Sequence, residues 1–330
     1  MKKDNCNKAT VIIPVFNSQK YLDRCLNSIL SQKNISNYEV ICIDDCSTDE
    51  SREILKRYQQ LHGIKVIYNA KNIGQGRSRI EGIKNSTGDY IFFVDSDDYI
   101  AEDYLSTYME CVRNKEYDVV VGGFITVREK KEKICKRQNG GVGSIISYSH
   151  ACCKMYRKQF LIDNNIDFGD YRKGEDIFFS ISLVVKNARH KFIDYTGYYY
   201  YHNEKSTTKT LDYKDNFEQT VSDIFTEILL ENKVEKNSNV YKFIEYAYVA
   251  GMLNALIIYN RGCGRKIILQ KYSCFWTDLE KKFGRIEDNK FLYKWYWHGP
   301  SFKCRFGVWS IMNLNRIHID KILFGLIGFL

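Results

Sequence analysis

The first hundred residues alternate between short apolar runs and amphipathic stretches, and this alternation constrains the fold more than any other feature of the chain. Four apolar runs predict β-strands, at residues 10–15, 39–43, 65–68 and 90–94. Three stretches between them have apolar residues at helical spacing and predict α-helices, at residues 21–30, 50–60 and 76–85. Strands that alternate with helices form mostly parallel sheets with helices on both faces, so the sequence predicts an α/β fold.

The pattern becomes less regular beyond residue 100. Two further strands are predicted at residues 119–124 and 192–201, and two further helices at residues 154–164 and 175–185. Residues 130–143 are polar and glycine-rich, and they are predicted to form a mobile loop. From residue 213 to about residue 283 the chain is predicted to be mainly helical. We therefore divide the chain into an α/β domain at residues 1–212 and a helical C-terminal region at residues 213–330.

Composition argues against several classes of protein. Hydrophobic residues make up 44% of the 330 residues and charged residues 27%, as in soluble globular proteins. The 11 cysteines include no C-x-x-C pair, which removes support for a zinc ribbon or a thioredoxin-type site. A polar start and the lack of an apolar run near 20 residues argue against a signal peptide and a membrane span. These features predict a protein of the cytoplasm.

Polar side chains recur just after the predicted strands. Asn17 follows the first strand, Asp45 the second and Asn72 the third, and the segment 95–98 follows the fourth. The carboxyl ends of parallel strands meet at one edge of a sheet, where ligands bind in folds of this class. The sequence therefore predicts a ligand site at this edge.

The segment Asp95-Ser96-Asp97-Asp98 places three carboxylates within four residues. Such carboxylates repel one another unless a cation lies nearby. Oxygen ligands on a turn after a buried strand suit a hard divalent ion, so we expect Mg²⁺ or Mn²⁺. The alternative is a helix start whose dipole favours acidic side chains.

Three other segments have both a structural and a functional interpretation. The loop at 72–79 contains Gly74 and opens a helix, which indicates either a tight turn or an anion site. Glu175 and Asp176 begin a predicted helix. They are either acidic residues that the helix dipole favours, or they include a general base. His202 follows a predicted strand. It is either an ordinary surface histidine or a positive charge that neutralises a leaving phosphate.

Five segments together carry a specific resemblance, at residues 11–17, 43–49, 72–79, 88–98 and 174–176. In their order and spacing they resemble family 2 glycosyltransferases with the GT-A fold, of the type that builds bacterial capsule, lipopolysaccharide and other surface polysaccharides. The resemblance covers residues 8–210. It implies inverting transfer of a sugar from a nucleotide donor, most often UDP-linked, to a hydroxyl of a glycan or lipid-linked acceptor.

The resemblance also implies roles for individual residues. Asp45 contacts the nucleobase, in a pocket lined by Pro14, Phe16 and Asn17. The donor site further includes Asn72, Gly74, Arg79, Asp95, Ser96 and Asp97. The family's D-x-D motif is Asp95 and Asp97, and the metal is assigned to Asp97 and Asp98.

Asp176 is implied to be the catalytic base, and Glu175 to support it. His202 lies where such enzymes place a basic group near the diphosphate. A divalent ion stabilises the charge that accumulates on the departing diphosphate, while Asp176 takes the proton of the attacking hydroxyl.

The segment 291–330 combines five basic residues with one acidic residue and several tryptophans and tyrosines. This composition is typical of a peripheral segment at an anionic membrane surface, and it would suit a lipid-linked acceptor. A closing helix packed on the catalytic domain is the alternative. Nucleic-acid binding is not predicted, because no helix-turn-helix or RNP-type motif is present.

Three other functions compete with the transferase. A phosphatase of the haloacid-dehalogenase type also uses Asp-x-Asp after a strand, but it leaves Asp45 and the pair at 175–176 without a role. A sugar nucleotidyltransferase needs a glycine-rich, arginine-containing loop after the first strand, where this chain has the segment 14–17. A non-catalytic nucleotide-sugar-binding protein would keep Asp45 and lose a functional Asp176.

Overall fold

The computed structural model describes residues 7–128, 131–135, 145, 149–202, 213–236, 238–284, 286, 289–293, 302–316, 320, 321 and 324. These residues form two compact units. The first contains the described residues up to 135 and those from 150 to 202, and the second contains 145, 149 and the described residues from 213 onward.

The first unit contains eleven strands among its described residues: β1 (Ala9–Val15), β2 (Tyr38–Asp44), β3 (Lys65–Tyr68), β4 (Tyr90–Phe93), β5 (Tyr99–Ile100), β6 (Val119–Val121), β7 (Phe124–Arg128), β8 (Lys131–Cys135), β9 (Lys154–Arg157), β10 (His190–Phe192) and β11 (Tyr198–Tyr201). Its helices are α1 (Leu22–Leu30), α2 (Ser51–His62), α3 (Gln75–Lys84), α4 (Tyr104–Glu110), α5 (Lys158–Asp163) and α6 (Glu175–Val185). Seven strands form the central sheet, in the order β10-β6-β9-β4-β1-β2-β3.

The central sheet is parallel except at one strand. β1 pairs in parallel with β2 and with β4, β2 with β3, and β6 with β10, whereas β9 is antiparallel to both β4 and β6. All seven residues of β1 and all four of β4 are buried, as expected for central strands covered on both faces. The predicted α/β fold with a mostly parallel sheet is confirmed.

The strand order reverses between β1 and β4. The chain runs outward from β1 to β2 and β3 and then returns to β4 on the other side of β1. Because such crossovers are right-handed, the return places α3 on the face opposite α1 and α2. Accordingly α3 packs on β1 and β2, while α1 packs against α2. A reversal of this kind opens a crevice at the carboxyl ends of the strands.

A smaller sheet of four strands, in the order β5-β11-β7-β8, follows the loop after β4. β11 is antiparallel to β5 and parallel to β7. β5 begins directly after Asp98, so this sheet fixes the far end of the acidic segment 95–98. The predicted strand at 192–201 is thus two strands, β10 and β11, which belong to different sheets.

Three other predicted elements differ from the structure. The predicted helix at 154–164 begins as β9, because pairing with β4 and β6 outweighs the local helical pattern, and only α5 is helical. In the predicted loop at 130–143, residues 131–135 form β8 paired with β7, and residues 130 and 136–143 lie outside the described residues. The predicted strand at 119–124 is divided into β6 and β7, which also lie in different sheets.

The second unit is helical in its described residues, as predicted for the C-terminal region. It contains a 3₁₀ turn (Tyr213–Asp215), α7 (Phe217–Glu231), α8 (Asn239–Tyr259), α9 (Arg265–Phe283), α10 (Lys290–Tyr293) and α11 (Phe302–Arg316). In the described part of the chain, every helix is too short or too polar to cross a bilayer.

Candidate functional site

The loops that follow β1 and β4 meet at the reversal of strand order. The hydroxyls of Ser18 and Ser96 lie 2.6 Å apart and share a hydrogen bond, and both residues are buried. This contact joins the predicted nucleobase loop to the acidic segment 95–98 across the crevice. Ser96 therefore lies at the sheet edge where the sequence predicted it, although its hydroxyl faces Ser18.

Asp45, directly after β2, accepts hydrogen bonds from the next loop along the sheet. Its Oδ1 accepts from the backbone amide of Ile73 at 2.8 Å and from the side-chain amide of Asn69 at 2.9 Å. Its Oδ2 accepts from the backbone amide of Gly74 at 2.8 Å. The residue is only 3% exposed. Asp45 thus holds the loop that precedes α3 in addition to its predicted place at the nucleotide.

The first-strand loop is held by side-chain hydrogen bonds. Asn17 has a left-handed backbone with φ of 49°, and its Oδ1 accepts from the amide of Thr48 at 2.8 Å. Pro14 is buried inside β1 and contributes to the sheet, whereas Phe16 is 48% exposed at the edge. Of the three predicted pocket residues, Phe16 and Asn17 are therefore exposed, whereas Pro14 is buried within the sheet.

The start of α3 is tightly packed against the start of α6. Gly74 has φ of 90° and serves as the N-cap of α3, a conformation that favours glycine. A side chain at Gly76 would meet Glu175 Cγ at 3.1 Å, so the glycine allows the close approach of the two helix starts. Asn72 is half-buried, and its carbonyl accepts a hydrogen bond from Arg172 at 3.1 Å.

Arg79 is the centre of the site. Its guanidinium is buried, with 1% of the side chain exposed. Nη2 donates to Asp95 Oδ1 at 2.7 Å, and Nη1 donates to Asp176 Oδ1 at 2.9 Å. Oε1 of Glu175 lies 4.0 Å from Nη1. The structure therefore brings three predicted carboxylates, from two distant segments, together around the guanidinium of Arg79.

The carboxylates around Arg79 have perturbed proton affinities. Burial raises the pKa of Glu175, and the charge of Asp176 raises it further, to about 7, although Arg79 and a hydrogen bond from Gln75 act in the opposite direction. Burial also raises the pKa of Asp176, against the opposing charges of Arg79 and Lys154. A carboxyl whose pKa moves toward neutrality is a stronger base than an exposed one.

The three aspartates of the acidic segment 95–98 have different partners. Asp95 faces Arg79, with 28% of its side chain exposed. Asp97 is half-buried, and its carbonyl accepts from Arg24 at 2.7 Å. Asp98 is 1% exposed; its Oδ2 accepts from the Tyr198 hydroxyl at 2.6 Å and its Oδ1 from the Tyr201 amide at 2.7 Å.

These contacts test whether the segment suits a divalent metal. Both oxygens of Asp98 already accept hydrogen bonds from Tyr198 and Tyr201, and Asp97 lies on the turn that the Asp98 amide closes to the Asp95 carbonyl. Among the described residues, no three His, Cys, Asp or Glu side chains cluster as a metal site would. Mg²⁺ commonly takes only one or two protein carboxylates and completes its coordination with phosphates and water. Asp97 fits such a minimal site better than Asp98.

Two functional neighbours were not predicted from the sequence. Arg24 on α1 lies between the rings of Tyr99 and Tyr201, at 4.6 and 4.4 Å from their centroids, and so supports the turn at Asp97. Lys154 is fully buried on β9, where its charge lowers the pKa of Asp176. A lysine at the start of an apolar strand was the only sequence signal, and the helix predicted there obscured it.

His202 directly follows β11, and its backbone amide donates to the carbonyl of Val127 at 2.9 Å. It lies one residue beyond Tyr201, whose amide binds Asp98. The topology thus places His202 one residue beyond the strand that binds Asp98, and its predicted part in phosphate binding stays a prediction.

Part of the chain is similar to a known protein family. The family model described as "Glycosyl transferase family 2" matches residues 10–169. This segment contains the nucleobase loop, Asp45, Arg79 and the acidic segment. The match also argues against the phosphatase and nucleotidyltransferase alternatives, which belong to other families.

Curated relatives include transferases named for poly(ribitol-phosphate). The poly(ribitol-phosphate) beta-glucosyltransferase of Bacillus spizizenii is 30% identical over 232 residues, which cover 67% of this chain and 37% of the relative. The poly(ribitol-phosphate) beta-N-acetylglucosaminyltransferase TarP of Staphylococcus aureus is 31% identical over 206 residues, which cover 59% of this chain and 62% of the relative. The chain therefore matches well under half the length of the first relative and less than two thirds of the second.

Solved structures support the fold assignment. Residues 1–349 of Staphylococcus aureus TarS, in complex with UDP-GlcNAc, superpose with a TM-score of 0.70 at 22% identity, covering 97% of this chain and 90% of that one. A mannosyltransferase from Pyrobaculum calidifontis, in complex with GDP-Man and Mn²⁺, gives a TM-score of 0.56 at 12% identity, covering 98% of this chain and 86% of that one. The fold is the predicted GT-A fold.

Proposed function

Since this chain belongs to glycosyl transferase family 2 through its residues 10–169, we propose that it transfers a sugar from a nucleotide donor to a hydroxyl group, with inversion at the anomeric carbon. The donor is a UDP-sugar, and the acceptor is a surface polysaccharide or its lipid-linked precursor. The poly(ribitol-phosphate) transferase that resembles this chain, and the UDP-GlcNAc bound by the TarS structure, support this choice of substrates.

The nucleotide occupies the crevice between β1 and β4. Phe16 is exposed for stacking on the base, and Asn17 holds the loop that carries it. Asp45 accepts a base N–H with the one acceptor position on Oδ2 that its bonds to Asn69, Ile73 and Gly74 leave available. The donor loop at 72–74 is thereby coupled to base recognition, because one carboxylate serves both.

Asp176 acts as the general base. Its carboxylate takes the proton of the acceptor hydroxyl while the acceptor oxygen forms a bond to the anomeric carbon. The bond from that carbon to the diphosphate oxygen breaks, and the electron pair leaves with UDP. Attack opposite to the leaving group inverts the configuration. Because 21% of the Asp176 side chain is exposed, an acceptor can reach the carboxylate.

A divalent ion, Mg²⁺ or Mn²⁺, would be held by Asp97 together with the donor diphosphate, and it would stabilise the negative charge of the departing UDP. Asp98 supports this turn from within the fold. His202, which follows the strand bonded to Asp98, is placed to add a positive charge on the diphosphate when protonated.

The observation that carries the proposal is the pairing of Asp176 with Asp95 through Arg79. It brings the base at the start of α6 to the motif that follows β4, although the two come from distant parts of the sequence. A nucleotide-binding protein without catalysis would not need a carboxylate of raised pKa beside the D-x-D turn.

The test measures UDP release from a panel of UDP-sugars with Mn²⁺, in the presence of the acceptor or of water alone. We expect Asp176→Asn to reduce the rate by about 10²- to 10⁴-fold and to leave UDP affinity within about threefold of the wild type, less than 1 kcal/mol in binding. Asp163→Asn, at the exposed end of α5, is the matched control and should retain full activity. Near-normal turnover of Asp176→Asn would refute the assignment of the base.

We also propose separate roles for the two regions of the chain. Residues 1–212 bind the donor and carry the chemistry, and residues 213–330 contact the acceptor and the inner face of the cell membrane, which makes the protein a peripheral one on the cytoplasmic side. In α11, Lys303, Arg305 and Arg316 provide positive charge, and Phe306 is 45% exposed. The tryptophans at 295 and 297 lie outside the described residues.

The membrane proposal is tested by co-sedimentation with vesicles that contain anionic lipid. We expect the wild type to sediment more at low salt than at high salt, because the contact is electrostatic. Replacing Lys303 and Arg305 by Gln should reduce the bound fraction. Equal sedimentation of the variant and the wild type would refute a role for α11.

A further inference from the structure

The position of Arg79 conflicts with the role that the family resemblance implies for it. A donor ligand would direct its N–H groups into the crevice. Here the guanidinium is 1% exposed, and its two terminal nitrogens are bonded to Asp95 and Asp176. Its Nε is buried and has no hydrogen-bond acceptor among the described residues. The Arg79 side chain is therefore enclosed by protein atoms and does not face the crevice.

The surroundings of Arg79 hold it there. Its guanidinium carbon lies 5.9 Å from the centroid of the Phe93 ring and 5.2 Å from that of Phe168. Phe93 is the last residue of β4, and the two rings pack edge to face at 5.4 Å. The guanidinium therefore packs against the rings of Phe93 and Phe168. It could turn toward the crevice only by breaking both ion pairs.

The two ion pairs join parts of the chain that no strand pairing connects. Asp95 follows the end of β4, and Asp176 begins α6 after the left-handed Gly174. Neither loop restrains the other through backbone hydrogen bonds among the described residues. A planar guanidinium can bind two carboxylates at fixed angles, which the single ammonium of lysine cannot do.

We propose that Arg79 is a positioning residue that joins the D-x-D turn to the catalytic base, and that it does not bind the donor. It holds one oxygen of Asp176 so that the carboxylate faces the acceptor, and it holds Asp95 so that the turn keeps its shape for the diphosphate. The catalytic half of this statement rests on the proposed function; the structural half, the joining of the two loops, does not.

The first test needs no ligand and no activity. Hydrogen exchange is measured by mass spectrometry on the full chain and on Arg79→Lys. We expect faster exchange in two segments together, residues 93–99 and 174–180, because an ammonium lacks the planar pair of terminal nitrogens that holds Asp95 and Asp176 at fixed angles. Arg57→Lys, an exposed arginine on α2 paired with Asp23, is the control and should change neither segment. Unchanged exchange in either segment would overturn the proposal.

The second test separates positioning from donor binding. Arg79→Lys should bind UDP with an affinity within about threefold of the wild type, and its kcat should fall by about a hundredfold, because a misplaced base costs that much. The KM for the donor should change little. A loss of UDP affinity of about tenfold with unchanged kcat would show that Arg79 is a donor ligand and would overturn the proposal.

The two tests distinguish a failure of the proposed function from a failure of the positioning role of Arg79. Should the wild type transfer no sugar from any donor, the proposed function fails, and the exchange experiment still decides whether Arg79 joins the two loops. Should the wild type be active and Arg79→Lys lose activity only in proportion to unfolded protein, measured by circular dichroism at the assay temperature, then Arg79 is merely structural and the positioning role is refuted.

Discussion

The hydroxyl of Tyr198 donates a 2.6 Å hydrogen bond to Oδ2 of Asp98 across 100 residues of sequence. The same hydroxyl accepts from the backbone amide of Asp95 at 3.2 Å. One tyrosine therefore holds both ends of the acidic segment 95–98 to β11. Because Asp98 is 1% exposed, its carboxyl depends on these bonds, and burial raises its pKa.

Tyr198→Phe removes the bonds to Asp95 and Asp98 and leaves both polar groups without this partner. We expect the free energy of unfolding to fall by about 1–3 kcal/mol in urea titrations, and the Mn²⁺ concentration for half-maximal activity to rise. Tyr199→Phe, on the same strand and stacked on Tyr99, is the matched control and should cost little. Equal stability of both variants would show that the hydroxyl of Tyr198 is dispensable.

Asp45→Asn tests the coupling of nucleobase recognition to the loop before α3. Asn offers only one acceptor oxygen, so either Ile73 or Gly74 faces an N–H group and loses its bond. We expect the free energy of unfolding to fall by about 1–3 kcal/mol and UDP affinity to fall about tenfold, measured by calorimetry. Asp49→Asn, a partner of the Gln19 and Ser51 amides outside this loop, serves as the control. Wild-type UDP affinity in Asp45→Asn would contradict the assignment.

Glu175→Gln should stabilise the fold at alkaline pH. The pKa of Glu175 is raised from 4.5 to about 7, first because of burial. The folded state therefore holds this proton more tightly than the unfolded state, and stability is lost as the pH rises from about 4.5 through about 7. A shift of this size corresponds to about 3 kcal/mol at most. Gln carries no charge and avoids this loss.

We expect Glu175→Gln to equal the wild type at about pH 4 and to exceed its free energy of unfolding at about pH 8 by about 1–3 kcal/mol, measured in urea titrations across that range. Glu53→Gln, an exposed position on α2, should track the wild type at every pH. A difference between wild type and Glu175→Gln that does not change with pH would disprove the burial of an ionised carboxylate.

Gly82→Ala tests the packing of α3 on the central sheet. A methyl group at Gly82 would overlap Cγ2 of Ile12 in β1, which is fully buried. Overpacking of this kind costs about 1–3 kcal/mol. Gly307→Ala in α11, where an added methyl meets nothing within 4 Å, is the control and should not destabilise.

The double variant with Ile12→Ala makes the Gly82 prediction specific. Removing the Ile12 side chain opens room for the new methyl, so the two costs should not add: we expect a coupling of about 1 kcal/mol in a double-mutant cycle. Additive losses would mean that Gly82→Ala acts through a contact other than Ile12.

Local sequence patterns correctly predict the elements whose final environment agrees with them. β3 and α6 begin and end at the predicted residues, because their apolar periodicity agrees with their final environment. The order of strands and helices also implied that Asp45 and the segment 95–98 would share one sheet edge. Parallel strands leave no other place for residues that follow them.

The contacts of individual side chains depend on how the fold brings distant segments together. Lys154 lies in a segment with helical periodicity, yet it is a strand residue because β4 and β6 leave a gap that only an extended chain fills. Asp98 resembled its neighbour Asp97 in sequence, and Tyr198 distinguished them. Arg79 joins Asp95 to Asp176 because a buried guanidinium requires carboxylates near it, and no local pattern shows which of the distant carboxylates the fold will bring there.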